Sequence, residues 1–368
     1  MLQPIPNAST GATSLAPDQR RLLQQQALGQ EVARFRELLA KVGSGEHTST
    51  GLSRDEARES LDLMLHGQVS EAQLGAFLIA HRMRRPAPLE LAGMLDSYRQ
   101  HGPQLHSPGQ RPLCFGVPYD GRSRTAPLLP LTALLLSASG VPVVLHGGEA
   151  MPVKYGVTLA ELFAALGVEW RQRPLQAVQQ CLERHQLALT HQPLHFPAAE
   201  RLVRIRAEIG KRPPVASLEL LWTPHQGEHL LVSGFVHPPT ESRAWEALRA
   251  SGENDVLLVK GLEGSTDLPL SRAAICSRLR GEEPERILVH PRDHGLAGDD
   301  PPFRDLESWS TQAQAALQGD GPLANALQWN LGGYLWFAGA FDSLSSALEQ
   351  ARALLQSRAG LRQLEALQ

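Results

Sequence analysis

The stretch Glu200-Arg201-Leu-Val-Arg204-Ile-Arg206-Ala-Glu-Ile-Gly-Lys211-Arg212 sets five basic residues against two acidic ones. On a helix, Arg201, Arg204 and the Lys211-Arg212 end fall within about a quarter turn of the axis. Leu202, Ile205 and Ile209 then form an adjoining apolar face. Such a stripe suits phosphate groups, and its affinity for a polyanion would fall steeply with salt. The competing reading is a solvated helix face with Glu200 and Glu208 as ion partners. His185, His191 and His195 are metal-ligand types. Pro193, however, sits between the last two and argues against a helix that would align them. Glu263 and Asp267 are carboxylates that could hold a divalent ion weakly, although isolated exposed carboxylates are usually solvated. Cys114, Cys181 and Cys276 are far apart and odd in number, which offers neither a disulfide framework nor a thiolate zinc site.

The elements that must position these groups follow from composition and period. Apolar residues make up 42% of the 368 and charged ones 20%, enough for a sizeable core in one large domain plus a smaller one. The net charge of −3 gives no compositional case for nucleic acid and leaves room only for a local basic patch. No apolar leader and no run near eighteen apolar residues is present, so the expectation is a cytoplasmic protein with no membrane association. Residues 1–28, rich in Gln, Ser, Pro and Ala, read as a flexible N-terminal arm. Ser53 with Glu56, and Ser70 with Gln73, form two capping boxes that open helices. The segment 29–102 is thus predicted as a helical layer, with Pro86 ending one helix. After Pro103, short apolar runs alternate with helical stretches. Strands are predicted at Leu113–Phe115, Val141–Leu145, Leu187–Thr190, Leu230–Phe235, Asp255–Lys260 and Ile287–His290. That alternation predicts an α/β class with a central, mostly parallel sheet. Helices are predicted over 322–341 and 343–357, the second capped by Asp342 or Ser343. Trp329, Tyr334 and Trp336 read as core or dimer contacts.

Four segments in order resemble the anthranilate phosphoribosyltransferase family. They are Gly67-Gln-Val-Ser-Glu-Ala-Gln73-Leu-Gly-Ala-Phe77-Leu, Gly140-Val-Pro-Val-Val-Leu-His146-Gly147-Gly148, Pro197-Ala198 through Arg206, Gly210 and Arg212, and Val259-Lys-Gly261-Leu-Glu-Gly264. The resemblance spans about residues 30–360. It implies a nucleoside phosphorylase/phosphoribosyltransferase-type fold with a small all-helical domain, 29–102 plus about 160–185, and an α/β domain of 103–159 and 186–368. Phe77, Leu78, Leu91 and Leu95 suit either a dimer face in the helical domain or its core.

The departures from the family carry as much information. Its glycine-rich phosphate loop, G-T-G-G-D-G, works because bare backbone N–H groups approach the pyrophosphate. Here the matching loop is Gly116-Val-Pro118-Tyr119-Asp120-Gly121: Pro118 has no N–H, and Tyr119 is bulky. Asp120-Gly121 keeps a turn. Pro127-Leu-Leu-Pro130 replaces the family's N-I-S-T hydroxyls. Gly148-Glu149 replaces an Asn-Arg pair, and Thr266-Asp267 replaces the paired acids that hold magnesium. Arg212 keeps its family identity, and Lys154 aligns with a family lysine, either an anion contact or a surface residue. These changes resemble the YbiB-type branch. That resemblance implies a non-catalytic homodimer that binds single-stranded DNA or RNA without sequence preference, with no cofactor. Arg201, Arg204, Arg206, Lys211 and Arg212 would line the groove, and Arg122 and Arg124 would extend it. Tyr119 offers a stacking face for a base, though a Tyr beside a Pro is more often plain packing. The alternative is a phosphoribosyltransferase with a rebuilt site, which would need magnesium.

Overall fold

The computed structural model describes residues 16, 18, 19 and 29–368, except 46, 108, 118–120, 153 and 282. The N-terminal arm expected at 1–28 therefore lies outside the described residues, apart from those three positions. Helices Gln30–Gly43, Arg54–Leu65, Glu71–Arg84 and Pro88–His101 build the helical layer. Both capping boxes form: the Glu56 N–H donates to Ser53 Oγ at 3.2 Å and the Gln73 N–H to Ser70 Oγ at 3.3 Å. Each box pins a helix start that apolar spacing leaves open by a residue or two. The stop expected at Pro86 is made one residue earlier. Arg85, the residue before that proline, leaves the helical well, as pre-proline residues do, and sits at φ 62°, ψ 102°. Phe77, Leu78, Leu91 and Leu95 are buried within the chain together with Phe35, Leu38 and Leu61.

The second layer is a seven-stranded sheet in the order β3-β2-β1-β4-β5-β6-β7. Its strands are β1 Leu113–Gly116, β2 Val143–Gly147, β3 Leu187–His191, β4 Leu230–Gly234, β5 Asp255–Val259, β6 Ala274–Arg280 and β7 Pro284–Val289. β1 to β5 run parallel, and β6 and β7 return antiparallel. Every residue of β1 to β5 is buried, which is why these strands read as continuous apolar runs rather than alternations. β6 went unpredicted because Ser277 and Arg278 interrupt its apolar pattern. Arg278 is nonetheless buried, clasping Asp255 at the start of β5 through Nε–Oδ1 2.6 Å and Nη2–Oδ2 2.8 Å. β7 begins at Pro284, before the expected Ile287.

Two helices expected with the helical domain pack elsewhere. Leu159–Ala165 lies against Leu306–Ala316, and Leu175–His185 lies on β3 and against Ala359–Leu367. Val178 and Leu182 are the buried residues of the latter helix. The C-terminal helices run Ala324–Phe337 and Leu344–Gln356, and Ser343 is the cap, accepting from the Ser346 N–H at 3.1 Å. Trp329 and Tyr334 are core residues, 0% and 1% exposed. Among the described residues, no helix is long and apolar enough to cross a membrane. Since β4 joins β1 on the side away from β2 and β3, the order in which strands are laid down reverses between β1 and β4. In open α/β sheets the crevice outside the carboxyl ends at such a reversal is where ligands bind.

Candidate functional site

Gly116 closes β1 at that crevice, and Gly121 follows a few residues on. Both glycines serve the chain's own packing. A Cβ at Gly116 would lie 2.1 Å from Leu220 O, and one at Gly121, where φ is 70°, would lie 2.3 Å from Gly156 O. Pro118, Tyr119 and Asp120 lie outside the described residues. Past the loop, Arg122 is pinned by reciprocal backbone hydrogen bonds with Val157, at 3.0 and 2.8 Å. Its side chain turns inward rather than joining a surface patch, and Arg122 is only 6% exposed.

There the guanidinium meets the two carboxylates singled out from the sequence. Arg122 Nη1 donates to Asp267 Oδ2 at 2.7 Å and to Ser265 Oγ at 2.8 Å, Nε lies 3.4 Å from Glu263 Oε1, and Nη2 reaches the Thr125 hydroxyl. Asp267 Oδ2 also accepts the Leu128 N–H at 2.9 Å. Glu263 Oε1 accepts from the Thr125 N–H and hydroxyl, both at 2.9 Å, and from the Arg124 N–H at 3.1 Å. Burial works against the Glu263 carboxylate, but the Thr125 hydrogen bonds and Arg122 hold it down at about 2. Glu263 itself sits at φ 54°, ψ 21°, a left-handed conformation unusual for a residue with a side chain. Lys154 is half-buried on the same residue, its Nζ donating to Glu263 O at 3.2 Å.

Magnesium does not fit these residues. Asp267 Oδ2 and Glu263 Oε1 each accept several donors of the chain, and a fixed guanidinium bridges the two carboxylates. The cavity left beside Gly116, Gly121, Arg122, Thr158 and Asp267 is about 30 Å³. That is room for a water, where small-molecule sites run to roughly 300–1,000 Å³. The sequence held no local signal for this clasp, because Arg122 and its acceptors Ser265 and Asp267 are brought together only by the fold. Thr125 and Ser265 were missed for the same reason.

The basic stretch folds as helix Pro197–Ile209 and divides between surface and interior. The helix stops at Gly210 in the left-handed conformation, so Lys211 and Arg212 leave its register. Arg206 does not line a groove: it is 3% exposed and pairs with buried Glu219 at 3.0 Å. Burial pushes the Glu219 carboxyl up to about 7, and the Arg206 charge opposes that rise. Arg201 donates to Leu65 O, closing the helix Arg54–Leu65, and Arg204 pairs with Glu71 and Glu208. Arg201, Arg204, Lys211 and Arg212 are all exposed, and Arg82 adds to them by donating to Arg212 O. Arg124 is exposed near the clasp, with Nε 3.5 Å from Glu263 Oε2. The three histidines do not converge as a metal set. The His191 N–H donates to His195 Nδ1 at 2.8 Å, and the His191 ring pairs with Glu149 at 2.9 Å.

With this geometry in hand, comparison with known proteins is direct. A model described as a glycosyl transferase family helical bundle domain matches residues 36–102, and one described as the a/b domain of that family matches 127–360. The uncharacterized protein YbiB of Escherichia coli is 29% identical over 318 residues, 85% of this chain and 97% of its own length. An anthranilate phosphoribosyltransferase of Azorhizobium caulinodans is 28% identical over 343 residues, 91% of this chain and 96% of its own. The solved anthranilate phosphoribosyltransferase of Thermus thermophilus superimposes with a TM-score of 0.73 at 25% identity, over 91% of this chain and 98% of its own. The enzyme from Saccharomyces cerevisiae in complex with PRPP and Mg gives 0.78 at 14% identity, over 91% and 97%, a likeness of fold alone. The chain belongs to the glycosyl transferase family, in the YbiB-type branch of its anthranilate phosphoribosyltransferase-like members.

Proposed function

We propose that this protein keeps the transferase fold without magnesium-dependent pyrophosphate chemistry, and that it binds nucleic acid without sequence preference. The observation that carries the first half is the Arg122 guanidinium, fixed 2.7 Å from Asp267 and 3.4 Å from Glu263 where a transferase would need open carboxylates. A sugar diphosphate entering that crevice would have to displace a buried, multiply bonded ion pair. The second half is supported by the exposed cations Arg82, Arg201, Arg204, Lys211 and Arg212, gathered where the helix Glu71–Arg84 meets the end of Pro197–Ile209. The exposed acids Glu71 and Glu208 both pair with Arg204, and the cations of the patch outnumber them. The protein would work as a homodimer, which light scattering reads directly.

A single-stranded oligonucleotide in a gel shift at low salt tests this reading. Binding should weaken steeply as salt rises, and Lys211→Gln should reduce the slope of log affinity against log salt by about 0.7. Absence of a shift at low salt would sink it. The named relatives support a second reading, a phosphoribosyltransferase with a rebuilt site, since anthranilate phosphoribosyltransferases align with this chain nearly end to end. Calorimetry with phosphoribosyl pyrophosphate and magnesium separates the two. Saturable heat would favour the transferase, and none would favour the binding protein.

A further inference from the structure

The parallel strands have a second end, and it holds a large cavity of about 760 Å³. Its walls come from Arg99 on the helix Pro88–His101, Arg111 just before β1, His225 and His229 before β4, Asp255 opening β5, and Arg280 closing β6. The charges here do not cancel. Asp255 alone answers three guanidiniums: Arg111, Arg278 and, at 3.5 Å, Arg280. Glu253 answers both Arg99, at 2.5 Å, and His229, at 3.1 Å. Exposed Glu228 at the rim adds one more acid. Asp255 and Glu253 thus face four guanidiniums and a histidine between them, with Arg99 also 3.7 Å from Asp96, and the unspent donors belong to Arg111 and Arg280, whose side chains are 36% and 61% exposed.

His225 adds a neutral donor. Its Nε2 accepts the Ser107 N–H at 3.1 Å, so the ring proton of the neutral imidazole sits on Nδ1. Nδ1 is buried with no partner, and the residue is 5% exposed. A buried N–H without an acceptor costs about 1–3 kcal/mol, so a turn of the His225 ring that brought Nδ1–H onto an acceptor in the cavity the residue lines would be favourable.

We propose that this cavity binds a small phosphate monoester, its phosphate held by Arg111, Arg280 and the His225 Nδ1–H. The volume is that of a sugar phosphate or mononucleotide site. Guanidinium is the planar, many-donor group that suits phosphate oxygens. The phosphate could also be the 5′ end of a nucleic acid, so the probes must separate the two sources.

Calorimetry on the full chain would use inorganic phosphate, glucose 6-phosphate, and an oligonucleotide with and without a 5′-phosphate. Saturable binding of inorganic phosphate and glucose 6-phosphate is expected. It should weaken at least tenfold in Arg280→Gln, an exposed position, and in His225→Phe. Arg352→Gln, an exposed charge change on the helix Leu344–Gln356, should leave it unaltered. Preference for the phosphorylated oligonucleotide over both small probes, lost in Arg280→Gln, would identify a strand end as the source and still support the site. No saturable heat with any phosphate at millimolar concentration would overturn the proposal, as would binding unaffected by Arg280→Gln and His225→Phe. His225→Phe is checked for folding by its urea midpoint, and Arg280→Gln remains decisive if it unfolds. Loss of oligonucleotide binding through the Arg201–Arg212 patch would leave the small-phosphate result untouched.

Discussion

Both ends of the parallel sheet are built from arginine and carboxylate. At the carboxyl end, Glu263 and Asp267 together receive one inward guanidinium, that of Arg122, along with Thr125 and Leu128. At the amino end, Asp255 receives Arg111, Arg278 and Arg280. The cavity beside Arg122 and Asp267 is about 30 Å³, and the one at the amino end is about 760 Å³. The difference lies in placement rather than in residue type. At the carboxyl end the central guanidinium is buried and its donors are spent within the chain. At the amino end, Arg111 and Arg280 keep 36% and 61% of their side chains exposed, with donors left for solvent or a ligand.

The most damaging way to test that contrast is to remove one cation from each end. Arg122→Ala strands two buried carboxylates and should cost about 3–5 kcal/mol in urea unfolding. Arg280→Ala, which leaves Asp255 with two other arginines, should cost less than about 1 kcal/mol. Equal losses would erase the distinction. Next in size, Gly121→Ala forces a Cβ to within 2.3 Å of Gly156 O at a positive φ. It should cost about 2 kcal/mol, because the backbone around Arg122 must shift.

Proton linkage separates the two ends more finely. Glu263 is held at about 2, below its ordinary value of 4.5. Its stabilisation is therefore complete above pH 4.5 and is lost as pH falls toward 2, and Glu263→Gln should remove that acid limb. At the other end, burial opposes a charged His229, but Glu253 raises it above 6.5. Its contribution is full below pH 6.5 and is lost as pH rises through the raised value. The urea midpoint should thus decline on the alkaline side in the native chain and decline less in His229→Gln. The smallest effect belongs to the surface: Arg204→Ala should stay within about 0.5 kcal/mol, because its pairs with Glu71 and Glu208 are exposed.

Fold was far more legible than site. The capping boxes at Ser53 and Ser70 are local, and so are the apolar runs of β1 to β5, so spacing alone exposes them. β6 hid behind Arg278, whose partner Asp255 lies on another strand. The same non-locality misled the reading of the basic stretch. Periodicity sets Arg206 apart from Arg201 and Arg204, beside the apolar Leu202 and Ile209, and it is the family resemblance that places it in the groove; buried Glu219 is the partner that lets it turn inward. Arg122 is the sharpest case: it sits in a loop whose changes pointed to lost phosphate binding, yet no neighbouring residue announces that it faces two acids from a distant turn.

That arginine supplies, from within the chain, a positive charge that a metal would otherwise have to bring to Glu263 and Asp267. A bound metal dissociates, exchanges with its competitors and can be stripped by a chelator. A positive charge tethered through the main chain by Val157 does none of these, because its local concentration is set by covalent attachment rather than by the cell. On the proposed function, EDTA should leave the urea midpoint unchanged, and a fall in that midpoint would count against it.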